Sequence, residues 1–283
     1  MKLSTFYKLF YRHRFKKANL FLKFYLILII YFKYLINLPF IPKKSNLDDK
    51  KFEFLFDKKN LSELFDYFNS DKGNFFENQY THPIKRNKTK IKGHGYSKFY
   101  EKYFDKIKDK NINIIEIGSF YGNASAALFF YFKNAKLFAA DIFPDLFSYK
   151  SSRIKNFYVD SSNEDSIKKS IIQQVENNFD IIIEDAGHYL KDQIISLFLL
   201  FKKLNHGGLF IIEELDFPDT RKDMNLNNEK PTLRDILFNV KQKNIFLDSD
   251  YINEEDKKYF LDNFESIDIF KGNFNEIAII KKR

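Results

Sequence analysis

The sequence predicts an α/β fold in which a mostly parallel sheet is wound on both faces by helices, ends in an antiparallel hairpin and is preceded by a helical N-terminal arm. Three observations carry that expectation. From residue 111 onward, short apolar β-branched runs alternate with helix-length segments. Acids close these runs, where folds of this class bind ligands beyond the carboxyl ends of their strands. Residues 1–47 contain no acid and ten Lys or Arg, leaving −1 for the remainder against a total of +9. The chain therefore divides into a basic apolar arm (1–45), a helical and loop cap (46–110) and an α/β domain (111–283).

At 283 residues, with 44% hydrophobic and 30% charged residues, the chain can bury a core and is not a disordered polymer. It has no Cys, which excludes disulfides, Cys-ligated metal and a thiol nucleophile. Its 35 Phe and 17 Tyr accompany abundant Lys, Asn and Ile, the pattern of AT-rich codons, and carry no functional weight.

Taken in order, the arm pairs a basic start, Arg12 to Lys17, with the mostly apolar stretch Ala18 to Ile41. Its uncharged run Phe24–Phe32 is nine residues, whereas a bilayer span needs about 20. Lys33 then interrupts; at bilayer depth it would cost about 2.5–3.5 kcal/mol. The economical reading is a helix lying in the membrane interface with its lysines reaching toward anionic headgroups. A true span, or a helix packed on the body or a partner, stays open. No small-residue cleavage site follows, so a removable signal is not expected.

Phe52 to Phe56 and Leu61 to Phe68 read as short helical pieces. The stretch Ser70 to Gly95, rich in Asn, Lys and Gly and carrying Lys85, Arg86, Lys88, Lys90 and Lys92, reads as a mobile loop. Tyr96 to Lys108 reads as a helix with Tyr100, Tyr103, Phe104 and Ile107 on one stripe. The strands follow at Asn113–Ile117, Lys136–Ala140, Phe157–Val159, Phe179–Ile183 and Leu209–Ile212. The closing hairpin pairs Ser266–Phe270 with Ile277–Ile280 around Lys271-Gly272-Asn273.

After the first strand, Gly118 and Gly122 allow a sharp turn and close approach to a ligand at a helix N-terminus. The spacing is G-x-x-x-G, not the G-x-G-x-x-G of nicotinamide and flavin sites, and Glu116 would repel a pyrophosphate. Glu116-x-Gly118-x-x-x-Gly122, with Asp141 closing the second strand, resembles the cofactor site of class I S-adenosylmethionine methyltransferases, which have a Rossmann-like fold. The resemblance implies contacts to S-adenosylmethionine from Glu116, Gly118, Ser119, Gly122, Asp141 and Asp160, with Asp141 holding ribose hydroxyls. Without it, the same residues make a glycine turn of some other Rossmann-like protein.

Further along, Glu184-Asp185-Ala186-Gly187-His188 and Gly207-Gly208-Leu209-Phe210-Ile211-Ile212-Glu213-Glu214 resemble the metal-dependent sugar O-methyltransferases of macrolide and tetracenomycin tailoring. Ser70-Asp71-Lys72 and His94-Gly95-Tyr96 match that family's upstream patterns. Glu184, Ala186-Gly187 and Glu214 depart from its Asp-Asp-Gly-Ser-His and Glu-Asp patterns, which leaves loop geometry and metal preference open.

Chemically, methyl transfer to a sugar hydroxyl is a displacement on a sulfonium by a poor nucleophile. Asp185 and Glu214, with Glu213 as a third ligand, would hold a magnesium-class ion that lowers the hydroxyl pKa. His188, three residues beyond Asp185, is the candidate general base, with a packed or capping histidine as the bland alternative. His206 reads as a solvent-facing turn residue, and His13 and His82 carry no assigned chemistry.

Nucleic acid is not an expected partner, because the Asn/Asp-Pro-Pro-aromatic motif of base methyltransferases is missing after the fourth strand. The expected acceptor is a glycoside or lipid-linked sugar, met by a cytoplasmic enzyme at the cytoplasmic face of a membrane. A non-catalytic membrane-tethered binding protein on the same scaffold, or a methyltransferase with a non-sugar acceptor, remains the alternative.

Overall fold

Along the central strands successive side chains point to opposite faces, and both faces are apolar, so helices must cover each. The computed structural model describes residues 1–40, 43–50, 55–77 and 89–283. Its seven-stranded sheet comprises β1 (Asn113–Ile117), β2 (Lys136–Asp141), β3 (Ile154–Tyr158), β4 (Phe179–Glu184), β5 (Leu204–Ile212), β6 (Phe264–Lys271) and β7 (Glu276–Lys282), in the order β6-β7-β5-β4-β1-β2-β3. The five strands from β5 to β3 run parallel; β6 and β7 are antiparallel, as the hairpin pattern predicts.

The main helices are α1 (Leu3–Phe10), α2 (Arg12–Lys17), α3 (Leu20–Asn37), α4 (Leu61–Tyr67), α5 (Ser97–Phe104), α6 (Asn123–Tyr131), α7 (Leu190–Leu200), α8 (Leu233–Lys243) and α9 (Glu254–Asn263). Ile114, Ile181, Ile183 and Ile211 pack on one face with Leu64 and Phe65 of α4, Phe104 of α5 and Leu128 of α6. Ile115, Ile182, Phe210 and Ile212 pack on the other with Ile194 and Phe198 of α7, Leu237 of α8 and Phe260 of α9. At about 1.5–3 kcal/mol per fully buried large apolar side chain, these two layers supply the dominant stabilisation.

The strand order reverses between β1 and β4, and such switch points open a crevice at the carboxyl ends of the strands. Register brings the ends level: Ile117 pairs with Glu184 and Glu184 with Ile212. The residues just beyond, Gly118, Asp185 and Glu213, therefore meet at one rim.

Most strands run one or two residues further than expected at one or both ends, and two differ by more. β3 spans Ile154–Tyr158, not Phe157–Val159, because it is a sheet edge whose residues are all exposed or half-buried and Lys155 and Asn156 break its apolar run. β5 begins at Leu204, five residues early, and reaches regular pairing with β4 only after a register shift.

The expected mobile loop is also corrected where it is described. Phe75–Glu77 pairs antiparallel with Lys90–Lys92, and below that ladder His94 N–H donates to Asp71 O at 2.7 Å and Tyr96 N–H to Lys72 O at 2.9 Å. The ends of the stretch are thus stapled together. Lys85, Arg86, Lys88 and His82 lie outside the described residues, as do Phe52, Phe54 and the arm's terminal Ile41.

The arm is a helical hairpin in which Phe6 and Tyr11 pack against Ile30 of α3. α3 has 18 residues and a mean hydropathy of 1.7, enough by length and composition to cross a membrane. Most of its large apolar side chains face outward, Phe21 at 86% exposed and Leu20 at 74%.

Candidate active site

One cavity of about 360 Å³ lies at the switch point, lined among others by Glu116, Gly118, Ser119, Asp141, Asp160, Asp185 and His188. Gly118 has φ +94°, and a Cβ there would stand 1.9 Å from the Asp185 carbonyl oxygen, so the loops after β1 and β4 touch only because it is glycine. Gly122, at φ +80°, turns the chain into α6. The Ser119 hydroxyl is buried without a protein partner, a polar vacancy suited to a bound ligand.

Asp141 accepts the Phe120 N–H at 2.8 Å and the Phe143 N–H at 2.6 Å, one on each oxygen. Burial raises its pKa and those two donors oppose the rise. Each oxygen keeps a lone pair for a hydroxyl. Glu116, buried at the end of β1, accepts from the Ser125 hydroxyl of α6; burial pushes it up to about 7, against the pull of Lys72 and Ser125. Asp160 holds the Ser162 N–H at 3.1 Å on the cavity wall. An acid, a glycine turn and a second acid thus line one cleft, an arrangement that an adenosyl cofactor would fit.

Beside this cavity, whose wall includes Asp185 and His188, the acids beyond β4 and β5 gather into a cluster. Asp185, His188 and Glu214 bring one ligand atom each within 4.8 Å of one another, the set among the described residues that could hold a metal ion. His188 Nε2 stands 3.7 Å from Asp185 Oδ1 and 3.7 Å from Glu214 Oε2. Both His188 (φ +55°) and Glu214 (φ +46°) have left-handed backbones, a strained conformation that concentrates at functional sites.

Glu214 Oε2 and His188 Nδ1 are buried and unpartnered. Burial, together with the charges of Asp185 and Glu213, raises Glu214 well above the usual carboxylate range. Burial lowers His188 to about 4, against the pull of Asp185, so the ring is neutral near pH 7. Two carboxylates brought together, one with an oxygen that has no hydrogen-bond partner, fit a hard divalent cation, and the neutral imidazole beside them is left to handle a proton.

Glu213 sits differently from its neighbour. Its Oε2 accepts from Lys72 Nζ at 2.8 Å and its Oε1 from the Tyr100 hydroxyl, so both oxygens are engaged and Glu213, expected as a third ion ligand, is not among the described residues that could hold an ion. His94 Nε2 approaches Glu214 Oε1 at 3.3 Å, while its Nδ1 meets Asn275 Nδ2 at 3.1 Å beside the C-terminal hairpin turn.

Lys72, His94 and Tyr100 are therefore site residues to which the sequence reading gave no role. Ser70-Asp71-Lys72 and His94-Gly95-Tyr96 carried the signal, as patterns without an assigned chemistry. Tyr100 was hidden in the apolar stripe of its helix. His206 instead lies outside the cavity and meets the Arg283 carbonyl at 2.6 Å.

The arm reaches the cavity too. Leu9 of α1 lines it, Thr5 Oγ1 donates to Asp145 Oδ1 at 2.8 Å, the Lys2 backbone N–H donates to Asp145 Oδ2, and Lys8 lies over the Phe143 ring.

No family model matches the chain. Over 129 residues, 43% of this chain, it is 26% identical to the 8-demethyl-8-alpha-L-rhamnosyl tetracenomycin-C 2'-O-methyltransferase of Streptomyces olivaceus. It is 25% identical over the same length to the 8-demethyl-8-(2-methoxy-alpha-L-rhamnosyl)-tetracenomycin-C 3'-O-methyltransferase of that organism. The matches span 33% and 32% of those proteins, about a third of their length. Among solved structures, the MycE methyltransferase of mycinamycin biosynthesis in complex with Mg and SAH superposes with TM-score 0.57 at 17% identity, covering 80% of this chain and 55% of that one. Its complex with Mg, SAH and mycinamycin VI gives TM-score 0.58 at the same identity and coverage, 17%, 80% and 55%. The chain thus resembles the tetracenomycin sugar O-methyltransferases in sequence and has the Rossmann-like fold of an S-adenosylmethionine-dependent methyltransferase.

Proposed function

We propose that this protein is an S-adenosylmethionine-dependent O-methyltransferase acting on a hydroxyl of a sugar or glycoside with the help of a magnesium-class ion. The observation that carries the reading is the convergence of Gly118, Asp141, Asp185 and His188 on one cavity. Bound there, the cofactor would supply a methyl group on a sulfonium, and the ion would lower the pKa of the hydroxyl that receives it.

The chain's own residues divide the remaining tasks. Glu116, Gly118, Ser119, Gly122, Asp141 and Asp160 hold and orient the methyl donor, Asp141 through ribose hydroxyls. Asp185 and Glu214 hold the ion, and Glu213 stands behind them. His188, neutral at working pH and 3.7 Å from both ligands, accepts the hydroxyl proton.

The arm supports a second part of the reading, that the enzyme works at the cytoplasmic face of a membrane on a lipid-linked sugar. Its ten cations occur without an acid and α3 presents its apolar side chains outward. The combination suits an anionic lipid surface. Purified protein incubated with methyl-labelled donor, magnesium and a lipid-linked glycan extract should transfer label into the glycan, and a chelator should stop it. Undiminished transfer in the chelator would remove the ion from the reaction, and failure to bind the donor would remove the methyltransferase reading.

A further inference from the structure

Within the acid-rich end stands a cation that the proposed chemistry does not use. Lys72 is 1% exposed, and its Nζ contacts Asp185 Oδ2, lies 2.8 Å from Glu213 Oε2 and 3.9 Å from Glu116 Oε1. A fully buried lysine is rare unless paired. Here its three partners come from the ends of three neighbouring strands, β5, β4 and β1. Burial alone would lower its pKa, but Asp185 and Glu213 hold it well above the usual lysine value.

The backbone of Lys72 is fixed as firmly as its head group. Its carbonyl accepts the N–H groups of Tyr96 and Ser97, at 2.9 and 3.3 Å, where α5 begins. That helix also delivers Tyr100 to Glu213. Asp185 is therefore divided: Oδ2 belongs to Lys72, while Oδ1 faces His188 at 3.7 Å. One oxygen is tied down and the other is aimed into the ion-binding corner.

We propose that Lys72 is a positioning residue, a fixed internal cation that orients Asp185 and Glu213 and joins Glu116 on the methyl-donor side to the ion-binding corner. The inference rests on the site described under the proposed function. It also gives the cap segment a part in the site: the cap supplies the positive charge that the strand ends lack. Without that charge, Asp185, Glu213 and Glu116 would crowd one desolvated space as like charges, and Asp185 would lose the contact that aims it.

The test is Lys72→Met in the full chain, read by Mn²⁺ binding in electron paramagnetic resonance, S-adenosylhomocysteine binding by calorimetry and thermal melting. Partners that orient metal ligands cost about 10–100-fold in metal affinity when removed. Mn²⁺ affinity should fall in that range while cofactor affinity falls less, since Glu116 is the most distant partner. Lys72→Arg, which keeps the charge, should restore most of the Mn²⁺ affinity. If Lys72→Met does not fold, Lys72→Gln keeps a hydrogen-bond donor and removes only the charge, and the same loss of Mn²⁺ affinity is expected.

A folded neutral variant that binds Mn²⁺ as the parent does would overturn the proposal, even with a lowered melting temperature, because Lys72 would then be a strut only. A parent protein that binds neither Mn²⁺ nor the cofactor would overturn the site assignment, and the proposal would fall with it.

Discussion

The two halves of the proposed site are built by different means. The proposed methyl-donor end comes from nearly contiguous chain: the end of β1, the glycine turn, the start of α6 and the acid closing β2. Its groups are backbone N–H donors and glycines, with Asp141 locked by two amides at 2.8 and 2.6 Å. The acid-rich end gathers Asp71, Lys72, His94, Tyr100, Asp185, His188, Glu213 and Glu214 from four separate stretches, and it works through side-chain charge. A contiguous site built largely from backbone does not tolerate a Cβ at its glycine and leans on a single acid, Asp141. A side-chain-built site tolerates backbone variation but not the loss of one charge.

The largest expected effect bears on the acid-rich end alone. His188→Ala should lower turnover by about 10²–10⁴-fold and leave S-adenosylhomocysteine binding nearly unchanged in calorimetry. An equal loss in both would merge the two ends functionally.

On the donor side, Asp141→Ala removes an acceptor for hydroxyl groups and should weaken cofactor binding by about 1.5–3 kcal/mol. Mn²⁺ binding should stay as in the parent. Gly118→Ala places a Cβ 1.9 Å from the Asp185 carbonyl at φ +94°, and the backbone strain alone should cost about 1–3 kcal/mol of stability. Chemical denaturation checks it, and a neutral result would mean that the two loops do not touch.

The acid-rich end should also show in pH dependence. Burial holds the folded pKa of His188 at about 4, against an unfolded value of 6.5. The stability linked to its neutral form is fully present above pH 6.5 and is lost progressively as pH falls toward about 4, because only the unfolded chain takes up the proton in that window. Nuclear magnetic resonance of the ring protons should find no titration near 6.5 for His188.

The smallest effect concerns the arm. Asp145→Ala removes the acceptor for Thr5 and Lys2 and should loosen α1 by about 0.5–1.5 kcal/mol, seen as faster proteolysis within residues 1–44 while the body stays folded. Loss of co-sedimentation with anionic vesicles on deleting those residues would support the lipid-surface reading of the arm.

The same contrast explains what the sequence disclosed. The strand runs of the parallel sheet, the glycine turn and the hairpin were legible because each is a local pattern: a β-branched run, a G-x-x-x-G spacing, a Lys-Gly-Asn turn. β3 was misplaced because an edge strand needs no apolar run. Asp185, His188 and Glu214 were visible as residues after strands. What could not be read was which of two adjacent glutamates turns toward Lys72, since that depends on a cap segment more than 100 residues away in sequence. α1 was assigned to the arm alone, and no pattern in its eight residues signals that Leu9 would line the cavity.

Under the proposed function, a methyl-donor site and a cation site adjoin in one cleft. This adjacency is tested most directly by recording the resonance of a ¹³C-labelled methyl group on bound S-adenosylmethionine while Mn²⁺ is added. Strong paramagnetic broadening is expected in the parent protein, abolished in Asp185→Asn/Glu214→Gln with the cofactor still bound. A methyl signal that stays sharp at saturating Mn²⁺ would contradict it.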